Sequence, residues 1–191
     1  MKKTRDKFIE TTSHLLETQG YHATGLSQII KESGAPKGSL YYHFPGGKEE
    51  LASVAIQRSG EKFAEIIFEN FSEKVALEDA LRQFVLGVAK GVEASGFSSG
   101  GPLTAVAMET AATSERLNLA CQDAFSKIQS AINTKLLSGG VPVEESANLA
   151  LFITSAIEGG IILSRTHHNV DPLRQVAENL YQLIKVNHSE K

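Results

Sequence analysis

Residues 27–44 read SQIIKESGAPKGSLYYHF, and the fold prediction starts from this segment. Together with Leu26, which precedes it, Ile29 and Ile30 follow the i, i+3, i+4 spacing of an amphipathic helix. Gly34 then provides a left-handed stop, and Pro36 suits the first position of a new helix because it has no N–H to leave unpaired. Two short helices joined by so tight a turn predict a helix-turn-helix, whose second helix enters the major groove of DNA.

The second helix of this motif has two different faces. At about 100° per residue, Leu40, Tyr41 and Phe44 fall on one side, which we assign to the core. The other side carries small, hydroxyl and imidazole groups that suit a groove: Gly38, Ser39, Tyr42 and His43. Lys37 lies in the first turn, from which a long side chain reaches phosphate. The helix-turn pattern alone fits an ordinary helical hairpin with a solvated polar face equally well.

Charge is distributed unevenly along the chain. The 191 residues carry a net charge of −3, yet residues 1–48 contain seven Lys/Arg and four Asp/Glu, a net +3. Residues 49–191 contain twelve Lys/Arg and eighteen Asp/Glu, a net −6. A basic module on an acidic body is typical of nucleic-acid binding confined to one end.

The composition predicts a cytoplasmic globular protein. Hydrophobic residues make up 41% and charged residues 21%, which is ordinary for this class. Cys121 is the single cysteine, as expected in a reducing compartment, and we interpret it as a small buried residue rather than a redox sensor. The chain starts with charged, amphipathic sequence instead of a signal peptide. Its most apolar run, residues 149–163, is shorter than a bilayer needs and contains Glu158, so no membrane span is expected.

Helical periodicity along the whole chain predicts an all-α fold. The first helix should end at Gly20, and Thr24 should N-cap the second. A long helix should open at Lys48 and run to about Phe71. Gly- and Pro-containing breaks separate five more predicted helices, at 77–94, 103–112, 114–138, 143–165 and 172–187.

A resemblance to a known family rests on several short motifs. They are Gly20-Tyr21, Thr24, Ile29-Ile30, Ser33-Gly34, the run from Lys37 to Phe44, and Lys48-Glu49-Glu50-Leu51. Together they resemble the N-terminal signature of TetR-type transcriptional repressors over about the first quarter of the chain. Most members have one residue fewer before Lys48. The insertion Pro45-Gly46-Gly47 and the segment from Ile157 to Arg165 are similar to the LmrA/YxaF subgroup.

This resemblance implies two domains. Residues 1–47 would form a three-helix DNA-binding domain, and residues 48–191 a helical bundle for ligand binding and dimerisation. The expected DNA-binding residues are Thr24, Lys37, Gly38, Ser39, Tyr42, His43 and Lys48. Lys48 lies where helix N-terminal amides also favour a phosphate, although a solvated lysine would look the same in the sequence.

The family resemblance also implies an effector cavity in the C-terminal bundle. The LmrA/YxaF subgroup responds to flavonoids, and a flat polyphenol favours aromatic walls with a few polar groups. The expected lining residues are Phe63, Phe84, Met108, Phe125 and Phe152, with polar groups from Thr104, Glu109, Asn148 and Thr154. Taken singly, each aromatic residue fits a plain core as well.

A homodimer is expected because one recognition helix reads too few bases, whereas two helices spaced ~34–36 Å apart read a palindrome. Residues 149–163 are apolar nearly all round, which indicates burial on more than one side. We expect this helix and the last helix to form the seam. The residues assigned to the last helix's part of the seam are Leu173, Val176, Leu180, Leu183 and Ile184. The alternative is the central helix of a monomer.

Two other classes of function are alternatives to a ligand-responsive repressor. A helical enzyme has little support, because no Glu-x-x-His, P-loop, Gly-x-Ser-x-Gly or dinucleotide motif is present and His167-His168 cannot share a helical metal site. We therefore expect no catalytic residue, metal or cofactor. A DNA-binding protein without a small-molecule trigger stays open at this point.

Overall fold

The computed structural model describes residues 2–70 and 75–189, and all regular secondary structure in these two ranges is helical. The helices are α1 (Lys2–Ala23), α2 (Leu26–Ser33), α3 (Lys37–His43), α4 (Gly47–Asn70), α5 (Leu77–Ala94), α6 (Leu103–Thr110), α7 (Glu115–Ser138), α8 (Val143–His167) and α9 (Asp171–Ser189). The predicted all-α fold is confirmed, and the five predicted C-terminal helices agree with α5–α9 to within two residues at each end. Phe71, the predicted end of α4, lies outside the described residues.

The chain divides into two compact units. The first combines Met1–Glu61 with Gly101–Phe125, and the second combines Lys62–Gly100 with Ser126–Lys191. The long helices α4 and α7 each contribute to both units. This grouping by contacts differs from the division after residue 47, which concerned functional domains and stays a prediction.

The core of the first unit is closed by α1, α2, α3 and the first turns of α4. Its largest side chains are at most 1% exposed: Phe8, Leu16, Ile29, Leu40, Phe44, Leu51 and Ile56. α6 packs against α1, and α4 and α7 approach so closely that a Cβ on Gly60 would lie 2.7 Å from the Cα of Ala124. A helix-turn-helix is too small to bury its own apolar side, and these additional helices supply the missing cover.

The helix boundaries around the turn follow the expected chemistry with three corrections. Gly20 leaves helical geometry at φ 79°, but the chain continues helically to Ala23. Gly25, and not Thr24, is the N-cap residue of α2. Pro36 occupies the N-cap of α3 with ψ 136°, one position before its expected place. Pro36 thereby offers its carbonyl to the Ser39 N–H at 2.9 Å.

The second unit is built on the packing of α9 against α5 and α8. Gly160 allows this approach, because a Cβ there would come within 2.9 Å of Leu173. Leu173, Leu180 and Ile184 are at most 2% exposed and are used inside the unit. The prediction that they line a dimer seam was therefore wrong, since their side chains already face α9's own neighbours.

α8 is long and apolar enough to cross a membrane by length and composition alone. This differs from the expectation that the apolar run is too short, because the helix extends over the flanking turns to Val143–His167. Such a helix is weak evidence for a span, since core helices pass the same test. Here one face of α8 is buried against its own unit, including Ile153, Ile157 and Ile161.

Cys121 lies in the interior, as the sequence indicated. Its side chain is 2% exposed, and burial raises the pKa of the thiol to about 11. The thiol is therefore protonated at neutral pH, whereas a reactive cysteine requires a thiolate.

Candidate DNA-binding surface

The turn between α2 and α3 fixes the presentation of α3. Gly34 adopts the left-handed conformation at φ 61°, ψ 20°, which ends α2 as predicted. Ala35 is 7% exposed and its N–H donates to the Ser33 hydroxyl at 3.3 Å, so the turn is tied to the core. α3 then begins at Lys37 and closes with the Phe44 N–H donating to the Leu40 carbonyl at 2.8 Å.

The structure separates the two faces of α3 mostly as expected. Leu40 is fully buried, while Tyr42 is 69% exposed. The remaining residues of the outward face are exposed or half-exposed: Lys37, Gly38, Ser39 and His43. The assignment of Tyr41 to the core was wrong, because this side chain is 49% exposed. A seven-residue helix on a small core covers only a narrow stripe, and Tyr41 lies at the edge of that stripe.

Gly38 has a distinct environment within the outward face. A Cβ built there would meet nothing within 4 Å, and its φ is not left-handed. The fold of this chain therefore does not require glycine at position 38. A glycine without an internal reason fits a place where another molecule approaches the backbone closely.

A series of aromatic rings connects this outward face to the core. The Tyr42 and His43 rings meet edge-on with centroids 5.1 Å apart, and His43 meets Phe44 at 6.3 Å. Phe44 in turn contacts Phe8 of α1 at 6.4 Å. Because Phe44 and Phe8 are buried, the exposed rings are supported from below and held in place.

Lys48 follows the tight turn that joins α3 to α4. Gly47 has φ 67° and donates its N–H to the Phe44 carbonyl at 2.9 Å, so α4 begins one residue before the predicted Lys48. The Lys48 ammonium lies 4.1 Å from the centroid of the Tyr21 ring. Burial lowers the pKa of Lys48, and the carboxylate of Glu109 opposes that shift. Lys48 is therefore a partly desolvated cation held beside the recognition helix.

The ring of Tyr21 packs against the Lys48 ammonium. Tyr21 is half-buried, and its pKa is raised by burial and by the charge of Glu49. Glu49 in turn accepts a hydrogen bond from the Ser114 hydroxyl at 2.6 Å. The half-buried Tyr21 ring thus packs at the edge of the small core and also contacts the lysine.

Glu109 of α6 contacts the last turn of α1, and no local sequence pattern predicts this contact. Its carboxylate accepts the His22 N–H at 2.8 Å. It also fills the space above Gly20, where a Cβ would overlap Oε1. The two partners are far apart in the chain, and the missing Cβ at Gly20 leaves the space that the carboxylate occupies. The sequence predicts Glu109 as a polar group of an effector cavity, whereas in the structure its carboxylate binds a backbone N–H of α1.

Thr24 does not lie on the outward surface. Its side chain is fully buried, and its hydroxyl donates to the Gly20 carbonyl at 2.6 Å. The hydroxyl satisfies a carbonyl that the break at Gly20 leaves without a helical partner. We therefore leave Thr24 out of the proposed DNA-contacting set.

The five expected effector residues are divided between the two units, and their exposure differs. Phe63 and Phe84 meet edge-on in the second unit with ring centroids 5.8 Å apart. Phe125 is half-buried in the first unit. Met108 and Phe152 are surface residues of the single chain, at 82% and 55% exposure, so neither is enclosed by the unit that contains it. Residue type alone, on which the pocket prediction rests, does not indicate which way a side chain points.

Two of the polar residues expected near the effector, Thr154 and Asn148, lie in other environments. The hydroxyl of Thr154 donates to the Ala150 carbonyl at 2.8 Å within α8, and Asn148 is exposed on the outer face of the same helix. Phe63 and Phe84 are therefore the pair on which an effector hypothesis can be based.

Comparison with known proteins agrees with this geometry. Residues 8–55 match the model for bacterial regulatory proteins of the tetR family. Residues 78–179 match the model for the C-terminal domain of LmrA/YxaF-like transcriptional regulators, and that match covers more than half of the chain. The chain belongs to the TetR family of transcriptional regulators. TetR-family proteins of this type are DNA-binding regulators and not enzymes.

Two relatives from Bacillus subtilis (strain 168) extend over nearly the whole TetR-family chain. The HTH-type transcriptional regulator YxaF is 40% identical over 95% of both chains. The HTH-type transcriptional regulator LmrA is 36% identical over 95% of this chain and 96% of its own. The resemblance to the LmrA/YxaF subgroup read from the sequence is confirmed.

The fold also recurs among solved structures of TetR-family proteins. A regulatory protein TetR from Rhodobacter sphaeroides has a TM-score of 0.83 with 21% identity, over 93% of this chain and 96% of its own. At this level of identity the likeness concerns the fold alone.

Proposed function

We propose that this TetR-family regulator is a repressor that binds a palindromic operator as a homodimer and is released by a small aromatic effector of flavonoid type. The outward face of α3 is the observation that carries the proposal. It combines exposed hydroxyl, imidazole and glycine positions with a lysine at the helix start, on a helix that the fully buried Leu40 anchors in the core.

The proposed contacts with DNA divide into two groups. Lys37 and Lys48 bind phosphate, which positions the helix without reading sequence. The base-reading face comprises Gly38, Ser39, Tyr42 and His43. Hydroxyl and imidazole groups can donate to or accept from base edges, and Gly38 lets the backbone of α3 come close to the groove.

The homodimer is supported by the outer face of α8. Leu151, Phe152, Ile162 and Leu163 are each about half exposed, at 52%, 55%, 48% and 50%. Gly159 lies on the same helix, and a Cβ there would meet nothing within 4 Å of this chain. TetR-family regulators usually form dimers, and a second copy of α8 is a symmetric partner for an apolar face of this kind. Two copies then present two recognition helices to neighbouring turns of DNA.

An effector of aromatic type is supported by two observations. Phe63 and Phe84 form an edge-on pair in the second unit, to which an aromatic ligand could add a third ring. The C-terminal domain is LmrA/YxaF-like, and the subgroup resemblance implies a flavonoid. Ligand and DNA would favour different states of one equilibrium, so that effector binding lowers affinity for the operator. We place the protein in the cytoplasm, together with the DNA that it binds.

Two linked measurements test this function. Selection of binding sites from a random duplex library should return a two-fold symmetric sequence with half-sites about one helical turn apart. Thermal-shift screening with flavonoid aglycones should then find compounds that stabilise the protein, because a ligand that binds the native state raises the melting temperature.

The same compounds should release the selected duplex in a gel shift. Release without any stabilisation, or stabilisation without release, contradicts the effector part of the proposal. A selection that returns no symmetric sequence contradicts the operator part. Operator binding that no flavonoid changes favours the alternative of a DNA-binding regulator without a flavonoid trigger.

A further inference from the structure

Arg5, near the start of α1, lies against the far end of the recognition helix. Its guanidinium carbon is 5.4 Å from the centroid of the Phe44 ring, within the range of a cation–π contact. Phe44 is the C-cap residue of α3 and is 1% exposed. The cation is therefore fixed relative to the outward face of α3, although it comes from another helix.

The charge of Arg5 is available to a further partner. Among residues 2–70 and 75–189, Arg5 forms no ion pair, although Asp6 and Glu10 belong to the same helix. Its side chain is half-exposed. A guanidinium in contact with an aromatic ring keeps N–H donors in its own plane, and these donors match the oxygen atoms of a phosphate.

Lys37 and Arg5 lie at opposite ends of α3, and the distance between these ends can be compared with the width of the major groove. Lys37 is the first residue of α3 and Phe44 follows its last, so the two ends are separated by roughly 10 Å at 1.5 Å per residue. The major groove is about 12 Å wide. If α3 crosses the groove from one wall to the other, a helix of this length brings its two ends near the phosphates of opposite strands.

We propose that Arg5 binds a DNA phosphate on the strand opposite to the one that Lys37 contacts, so that the recognition helix is held at both ends. This inference rests on the proposed DNA surface and adds a residue that the helix-turn-helix pattern does not include. Phe44 serves as the platform that orients the guanidinium, which reduces the side-chain entropy lost when a phosphate binds.

The test is the salt dependence of binding to DNA, because a phosphate contact is independent of sequence. The full chain and its variants are titrated against a fluorescent duplex of random sequence over a series of KCl concentrations. Losing one phosphate contact lowers the slope of log K against log salt by about 0.9 per bound protomer. We expect this decrease for Arg5→Gln and for Lys37→Gln. Lys90→Gln, an exposed lysine of the second unit, is the matched control and should keep the wild-type slope.

The variant Arg5→Lys separates phosphate binding from packing. It keeps the charge but loses the planar group that contacts Phe44, so it should retain most of the wild-type slope. If both Arg5 variants lower the melting temperature and weaken binding at the wild-type slope, Arg5 only supports Phe44 and the inference is wrong.

The variants also distinguish a failure of the Arg5 inference from a failure of the proposed DNA surface. A wild-type slope in Arg5→Gln, together with a reduced slope in Lys37→Gln, overturns the inference and leaves the proposed DNA surface intact. A wild-type slope in both variants contradicts the proposed surface itself.

Discussion

The outward faces of α3 and α8 are both uncovered in the single chain, but their chemistry is opposite. On α3 the exposed positions carry a lysine, hydroxyl groups, an imidazole and a glycine. On α8 the fully exposed positions between 147 and 163 carry no charge, since Glu158 is half-buried, and they include four large apolar side chains. Exposure alone does not define a binding surface, and the polarity of each face indicates which kind of partner can replace its water.

The two faces should also contribute differently to operator binding by the proposed dimer. A polar face can distinguish partners through hydrogen bonds, since an unpaired donor or acceptor is costly. An apolar face contributes affinity roughly in proportion to the area buried and discriminates less. In the proposed dimer, α8 therefore determines that two recognition helices act together, and α3 determines which sequence they bind.

The largest effect is expected from a charge on the apolar face. Phe152→Glu would bring two carboxylates together across a symmetric α8 contact, and burying an unpaired charge is strongly unfavourable. We expect monomers by sedimentation analysis and an operator affinity lower by about a thousandfold, because each monomer reads half a site.

Val143→Glu is the matched control for this change. Val143 is 74% exposed on the same helix, and at 100° per residue it lies half a turn away from Phe152. This variant should remain dimeric. Dimers of normal affinity in Phe152→Glu would show that the outer face of α8 is not the seam.

An effect of about tenfold is expected on the polar face. Tyr42→Ala removes an exposed ring and hydroxyl whose supporting residues stay in place, so operator affinity should fall while the melting temperature stays within about a degree. A side-chain contact to a base is worth about 1–3 kcal/mol. Fluorescence anisotropy on the selected operator measures the loss.

The neighbouring residue provides the comparison for Tyr42. Tyr41 is 49% exposed and lies about 100° further round α3, so Tyr41→Ala should cost stability and leave most of the operator affinity. Equal losses of affinity in the two variants would contradict the assignment of faces on α3.

How much of this arrangement was readable from the sequence depends on the range of the interaction. Gly34 and Pro36 act on their immediate neighbours, so the turn and the helix after it were predictable within a residue. The position of Thr24 was not predictable. Its hydroxyl donates to the Gly20 carbonyl, which lacks a helical partner because the helix breaks at Gly20. Glu109 contacts α1 from α6, and no local pattern marks such a pair.

The expected effector residues illustrate a second limit. Hydrophobic residue types indicate that a side chain avoids water, but a core, a cavity and an interface between chains all satisfy that preference. Phe84 is buried and Phe152 is exposed, although the aromatic residue type predicts the same environment for both. Periodicity assigns a residue to a face of its helix, whereas the neighbour of that face is decided by packing.

The smallest effect is expected from replacing Gly38, which should raise or keep the stability of the fold and lower the affinity for the operator. Gly38→Ala places a methyl group where the chain has free space, on a helix that alanine favours over glycine by up to about 1 kcal/mol. The melting temperature should therefore stay equal or rise. Operator affinity should fall by about fivefold, because the methyl group occupies space that the DNA would need. Melting curves and anisotropy titrations on one preparation measure both signs.

Gly34→Ala is the contrasting glycine in the same motif. Gly34 also has free space around it, but its φ of 61° is unfavourable for alanine, so this variant should lose about 1 kcal/mol of stability. A glycine required by the fold thus lowers stability when replaced, whereas a glycine required by a partner lowers only affinity. Unchanged operator affinity in Gly38→Ala would mean that the backbone of α3 does not approach the groove closely. The face of α3 would then read DNA through its side chains alone.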